Sequence, residues 1–248
     1  MLSRLAGLLG ALLATLLVAG CFGGGTTTNI DVHDSSIVIP TARIAVDFGE
    51  RPGPPSQLHT SHAIELAVSG ANGSDTLQIA AGQGPVVFGG ENFAAPQSLR
   101  AEFDFRFTEL AYRYRYVSRN RGIGFEALAG LAYAQLGLRL IGTTQTAAER
   151  LDGTGIVVSL GTMLRLWPSG SIQLRGSGFA SSTSEGVSRV GRYELAFEQA
   201  LGRHAALRAG YAGWNVQSRR EDDDLSASNR SPIRIRFNGP TLGLALMF

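Results

Sequence analysis

The sequence predicts an all-β fold, an antiparallel up-and-down transmembrane β-barrel of about ten strands, with twelve as the alternative count. Three observations predict it. Apolar and polar residues alternate with a period of two over much of 37–248. The faces opposite the apolar ones carry arginine, glutamate and small residues, as the inside of a narrow barrel would. After residue 21, no segment has the eighteen or so apolar residues of a membrane helix. A membrane chain without helices has to close its strands on one another, because lipid cannot satisfy unpaired backbone groups.

The elements are taken from the N-terminus onward. Met1-Leu2-Ser3-Arg4 is a short positive start, and an apolar run from Leu5 to Val18 follows. That run is too short to span a bilayer as a helix. It reads as a secretory signal over residues 1–20, closed by small residues. Val18-Ala19-Gly20-Cys21 resembles the lipobox of bacterial lipoproteins. The resemblance implies that Cys21 becomes an acylated first residue. Cys21 is the only cysteine in the chain, so a disulfide framework does not account for it. Residues 21–36 then read as the lipidated cysteine and a flexible Gly/Thr tether. No acidic residue follows Cys21 directly, which in the sorting pattern of such lipoproteins points to the outer membrane.

The chain has 248 residues and a formal net charge of +2, and all 22 basic residues are arginine. Arginine grips carboxylates in planar forks, which suits charges packed in pairs. The arginines alternate with carboxylates and apolar residues and form no single basic face, so nucleic acid is excluded as a partner.

The strand pattern is clearest in Leu99–Phe107, where Leu99, Ala101, Phe103, Phe105 and Phe107 alternate with Arg100, Glu102, Asp104 and Arg106. Leu110, Tyr112, Tyr114 and Tyr116 oppose Arg113 and Arg115. Tyr193, Leu195 and Phe197 oppose Arg192, Glu194 and Glu198, while Ile233, Ile235 and Phe237 oppose Arg234 and Arg236. The expectation is that every apolar set faces lipid. Arg100, Glu102, Asp104, Arg106, Arg113, Arg115, Arg192, Glu194, Glu198, Arg234 and Arg236 would then form a charge network in the lumen. Candidate strands are 37–48, 61–70, 75–82, 98–118, 122–141, 154–167, 171–182, 189–200, 203–216 and 232–248. Parity changes near Thr108-Glu109 and Ala134-Gln135 read as bulges, or as hairpins in the twelve-strand alternative. Gly239-Pro240 reads as a further bulge. With ten strands, both chain ends would lie on the periplasmic side.

At the C-terminus Leu242, Leu244, Leu246 and Phe248 alternate with Gly243, Ala245 and Met247. This resembles the closing strand of outer-membrane barrels, which implies recognition by the barrel assembly machinery through the strand ending in Phe248. With the lipobox and the strand pattern, the chain resembles small OmpA-like outer-membrane barrels carrying a lipoprotein signal, the barrel covering 37–248. The resemblance implies a monomer in contact with outer-membrane lipid and lipopolysaccharide. It specifies no catalytic residues, cofactor or metal.

The sequence itself offers one catalytic candidate. His59, Ser61 and Glu65 share a strand face, and His59-Thr60-Ser61 is similar to the His-x-Ser of outer-membrane lipid A deacylases. His59 and His62 point to opposite faces, so they do not make a metal site. An omptin-like protease would need a histidine beside Asp222, Asp223 and Asp224, and none is there. The leading expectation is an outer-membrane lipoprotein barrel without enzymatic activity, in an envelope structural or surface-interaction role. A narrow anion-selective pore and an envelope-lipid hydrolase are the alternatives. Labelled palmitate should enter the wild-type chain in Gram-negative cells and fail to enter Cys21→Ala; equal labelling would remove the anchor.

Overall fold

Long alternating runs with few turn formers make long strands. The computed structural model describes residues 30–34, 37–48, 59–83, 85–118, 122–181, 185–202, 204–220 and 233–247. Every element among them is a β-strand. The chain begins with β1 (Ile30–Asp34), β2 (Ile39–Asp47) and β3 (His59–Ile79), followed by a short hairpin of β4 (Val86–Phe88) and β5 (Glu91–Phe93). Then come β6 (Gln97–Val117), β7 (Ile123–Ile141), β8 (Thr146–Trp167) and β9 (Gly170–Ser181). The last three are β10 (Glu185–Ala200), β11 (Ala205–Arg220) and β12 (Ile233–Met247). β3 and β6 have 21 residues each and β8 has 22, about twice what one tilted strand needs to cross a bilayer.

Nine of these strands close into a ring, in the order β2, β3, β6, β7, β8, β9, β10, β11, β12 and back to β2. All neighbours are antiparallel except at the closure, where β12 runs parallel to both β1 and β2. β1 and β2 together act as one interrupted strand. Ile30 sits beside Ile233, and Ala45 sits beside Met247. An odd ring must contain one parallel pair, so the first and last strands point the same way. The expectation of ten antiparallel strands with both ends on one side is therefore corrected: Ile30 and Met247 lie at opposite ends of the ring.

The missing strand has a local cause. Residues 61–70 and 75–82 were expected as two strands joined by a turn at Ala71-Asn72-Gly73-Ser74, yet β3 runs through it, paired without interruption to β6 from His59↔Val117 to Ile79↔Gln97. Asn72-Gly73 satisfies a different need. A Cβ on Gly73 would stand 2.6 Å from Ile37 Cδ1 and 2.7 Å from the Phe103 ring, so the glycine makes room for the interior. Gly239-Pro240 is not a bulge either, because Tyr211↔Pro240 and Ala212↔Gly239 continue the ladder. A Cβ on Gly239 would lie 1.8 Å from the carbonyl oxygen of Ile37, where the chain crosses from β1 to β2. The pairings across Thr108-Glu109 and Ala134-Gln135 are also regular. The twelve-strand alternative, which needed hairpins there, falls with them. The irregularities that do occur lie between Val187 and Arg189 and between Arg165 and Trp167.

β1 lies within the stretch 21–36 whose sequence reads as a tether. It has a ladder only with β12, and side chains stand in for the ladder it lacks with β3. The His33 N–H donates to Asp75 Oδ2 at 2.9 Å, and the Ser74 N–H donates to Asp34 Oδ2 at 3.3 Å. Cys21 and Phe248 lie outside the described residues.

The parallel closure predicts a specific cross-link. Asp31 and Arg234 are register partners on the exposed face, as are Asn215 and Arg236 on the antiparallel β11–β12 pair. In a Cys21→Ala background, Asp31→Cys/Arg234→Cys should form a disulfide about as readily as the control Asn215→Cys/Arg236→Cys. A control that closes while the test pair stays reduced would contradict the parallel ring.

Candidate functional site

The parity changes that looked like bulges mark an exchange of environments. Along β6 the inward set is Leu99, Ala101, Phe103, Phe105 and Phe107, and then, without a break in parity, Glu109, Ala111, Arg113 and Arg115. The outward set runs Arg100, Glu102, Asp104, Arg106, Thr108 and then Leu110 and Tyr112. Both faces change character at the same level. β7 repeats it, with Leu136, Leu138 and Leu140 inside at one end and Glu126 inside at the other. On its outer face Arg139 and Gln135 give way to Tyr133, Leu131 and Phe125. β12 does the same: Ile233, Ile235 and Phe237 face in and Arg234 and Arg236 face out, before Leu242 and Leu244 face out beyond Pro240.

The ring therefore has two tiers. The tier at the Ile233 end has an apolar interior in which Phe103, Phe105, Phe107, Phe179, Trp214 and Phe237 pack edge-on and offset. The β4–β5 hairpin adds Val86, Phe88 and Phe93, all buried in the same core. Its outer face is charged and solvated. The tier at the Met247 end is reversed, with charges inside and an apolar belt outside that includes Ile44, Leu66, Leu110, Leu131, Leu160 and Leu195. Leu131 is 60% exposed and Ile156 is 64% exposed, values foreign to a surface in water when they belong to a continuous band.

Of the charges expected in the lumen, Arg113, Arg115, Arg192, Glu194 and Glu198 do face inward. Arg100, Glu102, Asp104, Arg106, Arg234 and Arg236 face outward, because on their segments phenylalanine, leucine and isoleucine take the interior. Alternation reveals two faces of a strand but does not label them.

The inward charges pair with one another across the ring, although Arg113 Nε, Arg192 Nε and Arg208 Nη2 are buried without a hydrogen-bond partner. Arg113 Nη1 donates to Glu65 Oε2 at 2.8 Å, and its Nη2 donates to Asp47 at 3.0 Å. Arg175 bridges Glu65, at 3.1 Å, and Glu126, which also accepts from Arg115 at 2.7 Å. Arg43 reaches Glu194 at 2.9 Å, and Arg208 reaches Glu194 at 3.0 Å and Glu198 at 3.2 Å. Arg192 pairs with Glu109 at 3.2 Å and lies over the Trp214 ring, 5.0 Å from its centroid. That contact is the seam where the network meets the aromatic core. Six arginines (43, 113, 115, 175, 192, 208) thus face six carboxylates (47, 65, 109, 126, 194, 198), and the sum is neutral. Arg43, Glu65, Glu109, Glu126 and Arg175 come from five different strands. Arg43 and Arg175 meet at Glu65, and Glu109 meets Arg192 from across the ring, contacts between strands that local alternation does not specify.

The His59, Ser61 and Glu65 candidate is not assembled by this geometry. Ser61 shares the inward parity of Glu65 but stands four residues away, about 13 Å along the strand. Glu65 is held by Arg43, Arg113 and Arg175. The side chain of His59, like Asp222, Asp223 and Asp224, lies outside the described residues. His62 faces outward, where Nδ1 is hydrogen-bonded to the Tyr112 hydroxyl and the ring packs on Tyr114. Among the described residues no group of three or more His, Cys, Asp or Glu is placed to hold a metal ion.

Comparison with protein-family models, with curated proteins and with solved structures finds no match. The reading therefore rests on the two-tier geometry.

Buried and exposed charges should respond differently to substitution. Arg175→Met leaves Glu65 and Glu126 short of a partner inside the ring, and should cost about 3–5 kcal/mol of unfolding free energy in detergent or lipid. Arg106→Met removes an exposed partner of Asp104 and should cost less than about 1 kcal/mol. Equal losses for the two would contradict the assignment of faces.

Proposed function

We propose that this chain is a membrane-spanning β-barrel lipoprotein of the outer membrane that raises a hydrophobic-cored head above the bilayer, in a structural or surface-interaction role. The observation that carries the reading is the exchange of faces at one level around the ring. An apolar belt outside a charged interior is the arrangement lipid requires, and a charged exterior around an apolar core is what water requires. On β8 the belt runs from Ile156 to Leu166, which at the usual rise and tilt of barrel strands is about 25 Å, the height of a barrel's lipid-facing band.

The borders support the same placement. Tyr133, Tyr193 and Tyr211 sit where the belt gives way to polar residues, and the Tyr211 hydroxyl is 2.8 Å from Asn238 Oδ1 on the polar side. Trp167 and Phe48 occupy the opposite border. Amphipathic rings concentrate at such interfaces. Above the tyrosines stand Arg106, Arg150, Arg189 and Arg236, facing out at the level of lipid headgroups, where the phosphates of lipopolysaccharide would meet them.

The interior argues for a closed barrel without turnover. Six paired arginines fill one tier and the aromatic core with its hairpin fills the other. An anion crossing it would have to displace carboxylates from their arginines and then traverse packed phenylalanine. A hydrolase would need a nucleophile and base in contact with an open cleft, and the ion pairs absorb the buried carboxylates instead. Purified protein reconstituted in planar bilayers should be electrically silent across the physiological voltage range. Sustained anion-selective current steps would contradict the closed interior and favour a pore.

A further inference from the structure

The charges outside the hydrophobic-cored tier are unevenly matched. On β6, β7 and β8 the outward arginines stand among carboxylates. Arg100 is 3.1 Å from Glu102, Arg106 is 3.6 Å from Asp104, and Arg139 reaches Glu102 at 4.0 Å. Arg150 donates to Gln135 at 3.3 Å, with Asp152 two residues further on. On β10, β11 and β12 the described outward side chains include Arg189, Arg234 and Arg236 and no carboxylate. Arg236 has one long ion pair, to Asp31 of β1 at 3.6 Å, with both side chains about half exposed. Arg189 and Arg234 have no ion-pair or hydrogen-bond partner among the described residues.

The ladders bring these three arginines together. Arg189 is in register with Gln217 and Gln217 with Arg234, so one outward row across three strands reads Arg-Gln-Arg. Asn215 and Arg236 make the next outward row. Arg189 and Arg234 are two strand spacings apart, about 10 Å, and Arg236 lies about 7 Å from Arg234 along β12. One phosphate cannot bridge that width at hydrogen-bond distance. Two carboxamides lie between the arginines, and Asn215 Oδ1 is buried without a partner. Guanidinium forks grip phosphate oxygens, and carboxamides pair with hydroxyl groups as donor or acceptor.

The cluster stands at the edge of the belt. Arg189 is in register with Ala180, and Ala180 with Ile156, where the belt begins on β8. Arg236 is two residues from Asn238, which accepts from the Tyr211 hydroxyl at the border. From Arg189 toward the belt the outer wall is bare. Gly178 and Gly191 are register partners, and a Cβ on either of them, or on Gly176, would meet nothing within 4 Å. The Tyr193 ring leans the other way, over Gly213. An acyl chain can lie along this strip beside Ile156 and Val158 while its headgroup stays on the arginines.

We propose that Arg189, Arg234 and Arg236, with Gln217 and Asn215 between them, bind one phosphorylated glycolipid whose headgroup carries two phosphates on a sugar core. This rests on the reading of the chain as an outer-membrane barrel, and it narrows the headgroup contacts to one side of the ring. The phosphates neutralise arginines that carboxylates leave unmatched, the sugar hydroxyls meet the amides, and the acyl chains enter the adjoining leaflet. The carboxylate-paired arginines of β6 and β7 lie outside the site.

Native mass spectrometry of the detergent-purified full chain tests this, with diphosphoryl lipid A, monophosphoryl lipid A, cardiolipin and phosphatidylglycerol offered in equal amounts. The wild type should retain one diphosphoryl lipid A in preference to the other three. Arg189→Gln/Arg234→Gln/Arg236→Gln should lower that retention by about tenfold or more. Arg100→Gln/Arg106→Gln/Arg139→Gln, the same change of charge on the paired side, should stay within about twofold of wild type. Heat-modifiable migration checks that each variant is folded. Should the first triple variant fail that check, Arg189→Gln and Arg234→Gln singly should each lower retention by about threefold. Equal losses in the two triple variants, or equal retention of all four lipids, would overturn the site. A preference for cardiolipin over diphosphoryl lipid A would overturn the glycolipid as its ligand. Recovery of the wild type in the soluble fraction without detergent would overturn the membrane reading on which the proposal stands.

Discussion

A guanidinium removed from water has to find carboxylates for its donors, and here six of them do so inside one ring of strands. The rest of the structure depends on that match. Arg175 can be buried because Glu65 and Glu126 reach it from β3 and β7, and Glu65 can be buried because Arg43 and Arg113 share it. Buried ion pairs are not a strong source of stability, since desolvation offsets most of their attraction. Their value in this ring is of another kind. They make a polar interior tolerable in the tier whose exterior is apolar, so the outer residues are free to be leucine, valine and isoleucine. Once the network ends, at Arg192 and Glu109 beneath Trp214, the interior becomes phenylalanine and leucine and the exterior becomes arginine and aspartate.

Strand length and tier are linked. A strand of about ten residues crosses a bilayer at the usual tilt, yet β3, β6, β7 and β8 run for 19 to 22. The surplus builds the hydrophobic-cored tier, continuous in register with the charge-filled tier along the same ladders. No hinge separates them along β6, whose pairings with β3 and β7 have no register break. The weakest edge of the hydrophobic-cored tier is the seam between β1 and β3, where carboxylates of Asp34 and Asp75 hold backbone N–H groups in place of a ladder.

Much of the strand layout was legible in the sequence, because a period of two survives wherever either face is buried. The segments 98–118 and 122–141 coincide with β6 and β7 to within a residue or so. Two things were not legible. Alternation distinguishes faces without saying which is inside, so Phe103 and Tyr112, both apolar and aromatic, look alike although one faces the core and the other lies in the belt. Their parity differs by one, and that difference reads as a slip in register although it records an exchange of inner and outer character along an unbroken strand. The second is Asn72-Gly73, a favourable turn pair by local chemistry, which the interior packing of Ile37 and Phe103 converts into a strand position. Merging those two segments changes the count from ten to nine and, with it, the side on which the chain starts.

The central claim is that lipid contacts the Met247 tier and water the other. It is tested most directly by nitroxide scanning of the outward positions of β6 in reconstituted bilayers, comparing oxygen with a water-soluble nickel complex as relaxing agents. Labels at positions 110, 112 and 114 should respond mainly to oxygen, and labels at 100, 104 and 106 mainly to nickel, with the crossover near Thr108. A nickel response that stays high from 100 to 114 would contradict the two-tier account.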